Sequence, residues 1–299
     1  MSGPAIRTRS LTKDYGGRRG VFDLDLDVER GEVFGFLGPN GSGKTTTIRM
    51  LLDLVRPTSG SVRVLGQDPR RAGAALRRRV GYVPGELSLW RTWTVSAVLE
   101  HLADLRGGVD PVRVAELVGA FDLDLDRVVG DLSKGNKQKV GLVAALAPDV
   151  ELLVLDEPTG GLDPLLQVVF QRFVRDRAAD GVTVLLSSHV LGEVQSVATR
   201  VAVVRRGRLA AVLDVSELSA QAAQTLEVTF AHDAPTAWPG LQVEVLACRG
   251  VVGTYLVRGA VDAFVKQLAQ HTVVALHGHD ADLEQAFLRY YSDGAGTES

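Results

Sequence analysis

The sequence predicts an α/β core built on a mainly parallel sheet, with a helical insert and a small C-terminal α+β domain. Three observations carry that prediction. Residues 32–37 are a short apolar run ending at a glycine-rich turn, and 45–55 beyond it carry helical spacing through Ile48, Leu51, Leu52 and Val55. Further short apolar runs at 80–83, 152–155, 183–186 and 201–204 alternate with helical patterns, the signature of parallel strands joined by crossover helices. Between 86 and 147 no strand is evident, and 95–105, 111–121 and 137–147 all read as helices.

Taken in order, Phe22, Leu24, Leu26 and Val28 alternate with Asp23, Asp25 and Asp27, which predicts a half-exposed antiparallel strand and hence an antiparallel β subdomain beside the core. The core domain is expected over 1–215, with its helical insert at about 86–147. A composition change at 216–224 reads as a linker. Residues 225–291 then read as the accessory domain, with strands at 226–230, 243–246, 255–257 and 273–276 and helices at 261–270 and 282–291. Leu283, Phe287 and Tyr290 share one face of the last helix. The tail 292–299 is expected to fray.

Composition narrows the function. The 299 residues carry a net charge of −3, and no basic stripe is present, which argues against a general nucleic-acid binder. Arg77, Arg78 and Arg79 read as a solvated helix face. Cys248 is the single cysteine, so no intramolecular disulfide can form, and a reducing compartment fits. The N-terminal residues lack the apolar segment of a secretory signal, and no stretch approaches the about 18 apolar residues of a membrane span. A cytoplasmic protein is expected.

The strongest chemical signal is the run Gly38, Pro39, Asn40, Gly41, Ser42, Gly43, Lys44, Thr45, with Thr46 following. It matches GxxxxGK[ST] between a strand and a helix. Glycines let successive backbone N–H groups turn inward onto phosphate oxygens, and the helix start adds its positive end. Lys44 is placed for the β and γ phosphates of ATP, and the Thr45 hydroxyl for Mg²⁺. The second signal is an apolar strand ending in Asp156 and Glu157. Asp156 is expected to hold Mg²⁺, and Glu157 to polarise a water for in-line attack. Together these predict a P-loop NTPase core.

Leu132, Ser133, Lys134, Gly135 and Asn136 precede a helix, and here the chain resembles the ABC transporter ATPase family, whose signature is LSGGQ. Ser133 and Gly135 match; Lys134 and Asn136 depart from it. The resemblance implies that Ser133 and the following amides bind the γ phosphate of ATP held by a second subunit. It also assigns Tyr15 to adenine stacking, Asp163 to a loop at the dimer interface, and His189 to a γ-phosphate contact that positions the catalytic carboxylate. One family mark is missing: where a glutamine is usual after the strand 80–83, this chain has Gly85 followed by Glu86. Trp90 and Trp93 lie just beyond, suited either to a cleft for the permease or to core packing. His271, His277 and His279 lack the partners of a metal site and read as exposed.

The details look like the drug- and antibiotic-export ATPases that pair with ABC-2-type permeases. The implied protein is an ATPase at the cytoplasmic face of the membrane that pairs with a second nucleotide-binding subunit, most simply its own copy, with a heterodimer as the alternative. The rival is a soluble ABC-type ATPase acting on DNA or the ribosome. Repair enzymes of that kind carry long coiled-coil or zinc insertions, whereas Lys44 and Ser133 are 89 positions apart here, without heptads or clustered cysteines.

Overall fold

Two strands open the chain: β1 (Ile6–Asp14) and β2 (Gly20–Val28) pair antiparallel in the computed structural model, which describes residues 3–216, 224–257 and 261–279. In β2 the inward residues are Val21, Leu24, Leu26 and Val28, and Phe22 is only half-buried. The expected alternation from Phe22 is broken because Asp23 takes a positive φ of 54°, next to a register shift between β1 and β2. Strand β3 (Val33–Leu37) is buried along its whole length and leads through the glycine loop into α1 (Lys44–Leu51). Strand β4 (Ser59–Val64) returns to β1, completing a three-stranded sheet of order β2-β1-β4.

After α2 (Pro69–Arg78) comes β5 (Val80–Val83), then the helical region of α3 (Val95–Asp104), α4 (Pro111–Ala120) and α5 (Lys134–Leu146). Among the described residues of this region only an isolated bridge, Thr94 to Val128, has strand character. The helix expected at 137–147 starts three residues earlier. Ser133 caps it, its Oγ accepting from the Asn136 N–H at 3.2 Å, so the polar residues 134–136 form its first turn.

Strand β6 (Leu152–Asp156), α6 (Pro164–Ala179), β7 (Thr183–Ser188), α7 (Leu191–Gln195), β8 (Arg200–Arg205) and β9 (Arg208–Asp214) follow. The main sheet runs β5-β6-β7-β3-β8-β9, and the pairs β5–β6, β6–β7, β7–β3 and β3–β8 are parallel. Burial on both faces explains why β3, β6 and β7 read as continuous apolar runs. Parallel direction also puts the ends of β3, β5, β6 and β7 on one edge, where open α/β sheets bind ligands. Arg79 departs from the solvated-face reading. It makes a bidentate pair with Glu151 at 2.5 and 2.8 Å, next to the β5–β6 pairing, while Arg77 and Arg78 stay exposed.

The chain divides into two compact units, Met1–Val212 and Leu213–Ser299. Within the second, β10 (Gln224–Phe230), β11 (Val243–Arg249), β12 (Val252–Val257) and β13 (Val273–His279) form an antiparallel sheet of order β11-β12-β10-β13. Its core joins Leu226, Val228 and Phe230 to Trp238, Tyr255 and Phe264, the last from α8 (Val261–Leu268). Tyr255 donates its hydroxyl to the Pro235 carbonyl at 2.8 Å, which satisfies the one polar atom that this fully buried ring brings in. His271 is exposed, yet its ring meets Phe230 and Trp238. The helix expected at 282–291, most of the linker and the tail lie outside the described residues.

Candidate functional site

The site is assembled from the loops that leave the parallel sheet. Gly43 caps α1 with a φ of 109°, a conformation that suits glycine and aims the first helical N–H groups at the loop's hollow. Lys44 is 4% exposed, so its ammonium needs partners. It donates to the Gly38 carbonyl at 2.5 Å and the Pro39 carbonyl at 3.3 Å, and lies 3.1 Å from Glu157 Oε1. Ser42 is buried, Thr45 and Thr46 are half-buried, and Pro39, Asn40 and Gly41 form the exposed crest of the loop.

Asp156 ends β6 fully buried. Its Oδ1 accepts from Ser187 Oγ at 2.6 Å, whereas Oδ2 is buried without a hydrogen-bond partner among the described residues. Ser42 Oγ is in the same condition. Unpaired buried oxygens call for a missing donor or cation, so this pair is the local evidence that the pocket fits a phosphate with its metal. Tyr82, across on β5, has its hydroxyl pushed up to about 12 by burial and by the negative charge of Asp156, and so stays protonated.

Glu157 follows directly with a φ of 49°, an uncommon left-handed conformation for a residue with a side chain. Its N–H donates to the Ser187 carbonyl at 3.1 Å and lies 3.2 Å from Ser187 Oγ, which pins the turn. One carboxylate oxygen faces Lys44, and the other meets His189 Nδ1 at 2.5 Å. A carboxylate ion-paired to Lys44 can only accept, so the half-exposed His189 ring donates to it through its Nδ1–H.

Lys44, Asp156, Glu157 and His189, four residues spread over 146 positions, are thus brought to one sheet edge. Gly85 joins them: a Cβ built on it would lie 3.4 Å from Asp156 Oδ2, while Glu86 is exposed. Tyr15 is 53% exposed, with Lys13 Nζ 5.2 Å from its ring centre. Trp90 and Trp93 stack at 5.1 Å, and each meets His101 edge-on.

The remaining expected residues lie on exposed turns. Ser133 caps α5, and Asp163 caps α6 by accepting from the Leu166 N–H at 3.0 Å. The two turns touch through their glycines, since a Cβ on Gly135 would lie 2.4 Å from the Gly161 carbonyl oxygen. Sequence reasoning passed over three side chains that hold this framework. Ser187 bridges Asp156 and Glu157, Gln138 donates to the Pro158 carbonyl at 2.9 Å, and Glu193 joins two hydroxyls. Gln138 stands between Lys137 and Lys139 in the polar start of its helix, so nothing in the sequence signals that it is buried.

A family described as ABC transporter matches residues 21–160. The bacitracin transport ATP-binding protein BcrA of Bacillus licheniformis is 37% identical over 210 residues, covering 68% of this chain and 68% of that protein. The daunorubicin/doxorubicin resistance ATP-binding protein DrrA of Streptomyces peucetius is 37% identical over 235 residues, covering 77% and 71%. A solved ATP-binding subunit of an ABC transporter superposes with a TM-score of 0.66 at 27% identity, over 72% of this chain and 91% of its own. The chain belongs to the ATP-binding proteins of the ABC transporter family. It is an ATPase of that family, and no helix among its described residues is long and apolar enough to cross a membrane.

Proposed function

We propose that this ATPase powers export of a drug-like or antibiotic compound through a separate ABC-2-type permease, working at the cytoplasmic face of the membrane as a head-to-tail homodimer. The names of the relatives support the compound class: one is a bacitracin transport protein and another a daunorubicin/doxorubicin resistance protein. The exposed Trp90 and its stacked neighbour Trp93 supply an aromatic surface for the permease.

The observation that carries the catalytic reading is the chain of contacts Lys44–Glu157–His189 beside the unpaired Oδ2 of Asp156. Lys44 is held between loop carbonyls and Glu157, and the phosphates of ATP replace those partners with stronger ones. That exchange frees the Glu157 carboxylate to accept a proton from the attacking water, while the His189 contact fixes its orientation. Thr45 and Asp156 would hold Mg²⁺, which supplies positive charge to the phosphate oxygens. Ser133 and the first turn of α5 approach the γ phosphate from the second copy, and Asp163 lies two residues beyond Gly161, which touches that turn.

Glu157→Gln tests the assignment. The variant keeps the shape of the site and one acceptor oxygen, so it should bind ATP normally and turn over about 10²–10⁴-fold more slowly. Wild-type turnover in the purified variant would remove Glu157 from the role of base.

A further inference from the structure

Glu193, on α7, sits where two functional loops meet. Its Oε1 accepts from Thr159 Oγ1 at 2.7 Å, and its Oε2 accepts from Ser188 Oγ at 2.6 Å. Thr159 is two residues beyond Glu157, and Ser188 immediately precedes His189. Both hydroxyl-bearing residues are buried, with relative exposures of 6% and 0%. Ser188 Oγ is further committed, because it accepts from the Val190 N–H at 2.9 Å on the other side of His189. One carboxylate therefore ties down both the loop that carries His189 and the turn that carries Glu157.

The same turn is held by a second contact. Gln138, buried on α5, donates to the carbonyl of Pro158, between Glu157 and Thr159. Further along, Gly161 touches Gly135 in the signature turn. We infer that Glu193 is a positioning residue for ATP hydrolysis, setting the spacing between Glu157 and His189 through Thr159 and Ser188. This rests on the reading of Glu157 as the base and His189 as its partner.

The chemistry explains why a carboxylate stands here. Both neighbours are hydroxyls that donate in this arrangement, and a carboxylate offers an acceptor oxygen to each. A glutamine accepts only through its oxygen, and its NH₂ must then find an acceptor in the second hydroxyl. Ser188 Oγ already accepts from Val190, so the Thr159 hydroxyl is the one free to reverse. Glutamine should therefore rescue in part, and alanine not at all. Displacing reacting groups by about 1 Å lowers turnover by about 10²-fold, which sets the scale for the alanine variant.

The test measures kcat, the KM for ATP and thermal unfolding of the full chain for Glu193→Ala, Glu193→Gln, Thr159→Val and the double variant Glu193→Ala/Thr159→Val. Expected are a kcat lower by about 10–10²-fold for Glu193→Ala, a nearly unchanged KM, an intermediate kcat for Glu193→Gln, and no further loss from Thr159→Val in the Glu193→Ala background. Wild-type kcat in Glu193→Ala overturns the proposal. So does a loss of the same size in Glu193→Gln as in Glu193→Ala, or a loss from Thr159→Val that adds in full. If Glu193→Ala does not fold, the volume-conserving Glu193→Gln decides alone: reduced kcat at unchanged KM supports the role, and wild-type kcat overturns it. Glu157→Gln is assayed alongside. Full turnover there removes the base assignment by itself, whereas an inactive Glu157→Gln beside a fully active Glu193→Ala overturns only the positioning role.

Discussion

The phosphate-loop half of the site and the signature half differ in how much they are finished within one chain. Lys44, Ser42 and Asp156 are buried, and among the described residues nothing pairs with Ser42 Oγ or Asp156 Oδ2, so the first half is closed by its own core and offers buried oxygens to a ligand. Ser133 and Asp163 are exposed, and each is locally satisfied by capping its own helix. The first arrangement binds by completing buried polar groups, which is favourable because the burial cost has already been met in folding. The second presents a helix start to something outside the chain. A single copy thus holds nearly all of the chemistry, and the surface that closes over ATP is proposed to come from the second copy.

The largest effect that breaks this comparison is expected from Gly135→Ala. The added methyl meets the Gly161 carbonyl oxygen at 2.4 Å, backbone against backbone, so one of the two turns must move. Overpacking of this kind costs about 1–3 kcal/mol, and displacing Ser133 should lower turnover by about 10-fold or more. Nucleotide binding to the phosphate loop should stay near wild type, since no residue of that loop is touched. Measuring ATP affinity and turnover separately checks the division, and equal loss of both would contradict it.

A smaller effect is expected at Gly85, on the finished half. A glutamine there starts 3.4 Å from the unpaired Oδ2 of Asp156 and brings an amide oxygen to the proposed metal position. Gly85→Gln should lower, by several-fold, the Mg²⁺ concentration needed for half-maximal ATPase activity. Glu86 is exposed and should not share this effect. Glu86→Gln is expected to leave the Mg²⁺ dependence of the detached subunit unchanged and to weaken transport only when the permease is present. A shifted Mg²⁺ dependence in Glu86→Gln would place its carboxylate at the metal instead.

The smallest effect lies away from both halves. Arg79 holds the Glu151 carboxyl below the usual carboxylate range, chiefly through their hydrogen bonds. A depressed acid stabilises the fold above its unfolded pKa, and that contribution disappears as pH falls through the folded value. The pair is substantially exposed, so Glu151→Gln should cost less than about 1 kcal/mol at neutral pH. Denaturant unfolding should show the gap to wild type closing in acid, with turnover unaffected.

What the sequence made legible follows from how local each signal is. The glycine loop with Lys44, the apolar strand ending in Asp156 and Glu157, and the run from Leu132 to Asn136 each sit within one short segment, where spacing carries the information. Strand β4 escaped notice because most of Ser59–Val64 is exposed and shows no apolar alternation. In β2 a single positive φ at Asp23 changed the phase of the pattern. The supports at Ser187, Gln138 and Glu193 were invisible for a different reason. Their partners lie 20 to 34 positions away, and only the folded sheet edge brings them together. Ser188, the nearest of these contacts in sequence, is five residues from Glu193, but its bond has meaning only beside the turn that holds Glu157.

The claim that two copies share each site is tested most directly by mixing two inactive variants. Lys44→Ala removes the phosphate-loop half from one copy, and Ser133→Arg blocks the signature half of the other. In a head-to-tail mixed dimer one site draws Lys44 and Ser133 from the unaltered halves of the two copies, and the other site carries both defects. The account predicts that each variant alone lacks ATPase activity, and that an equal mixture regains up to about a quarter of the wild-type rate, from half of the dimers with one working site each. A mixture that stays as inactive as its components, with mixed dimers shown to form, would contradict the shared site.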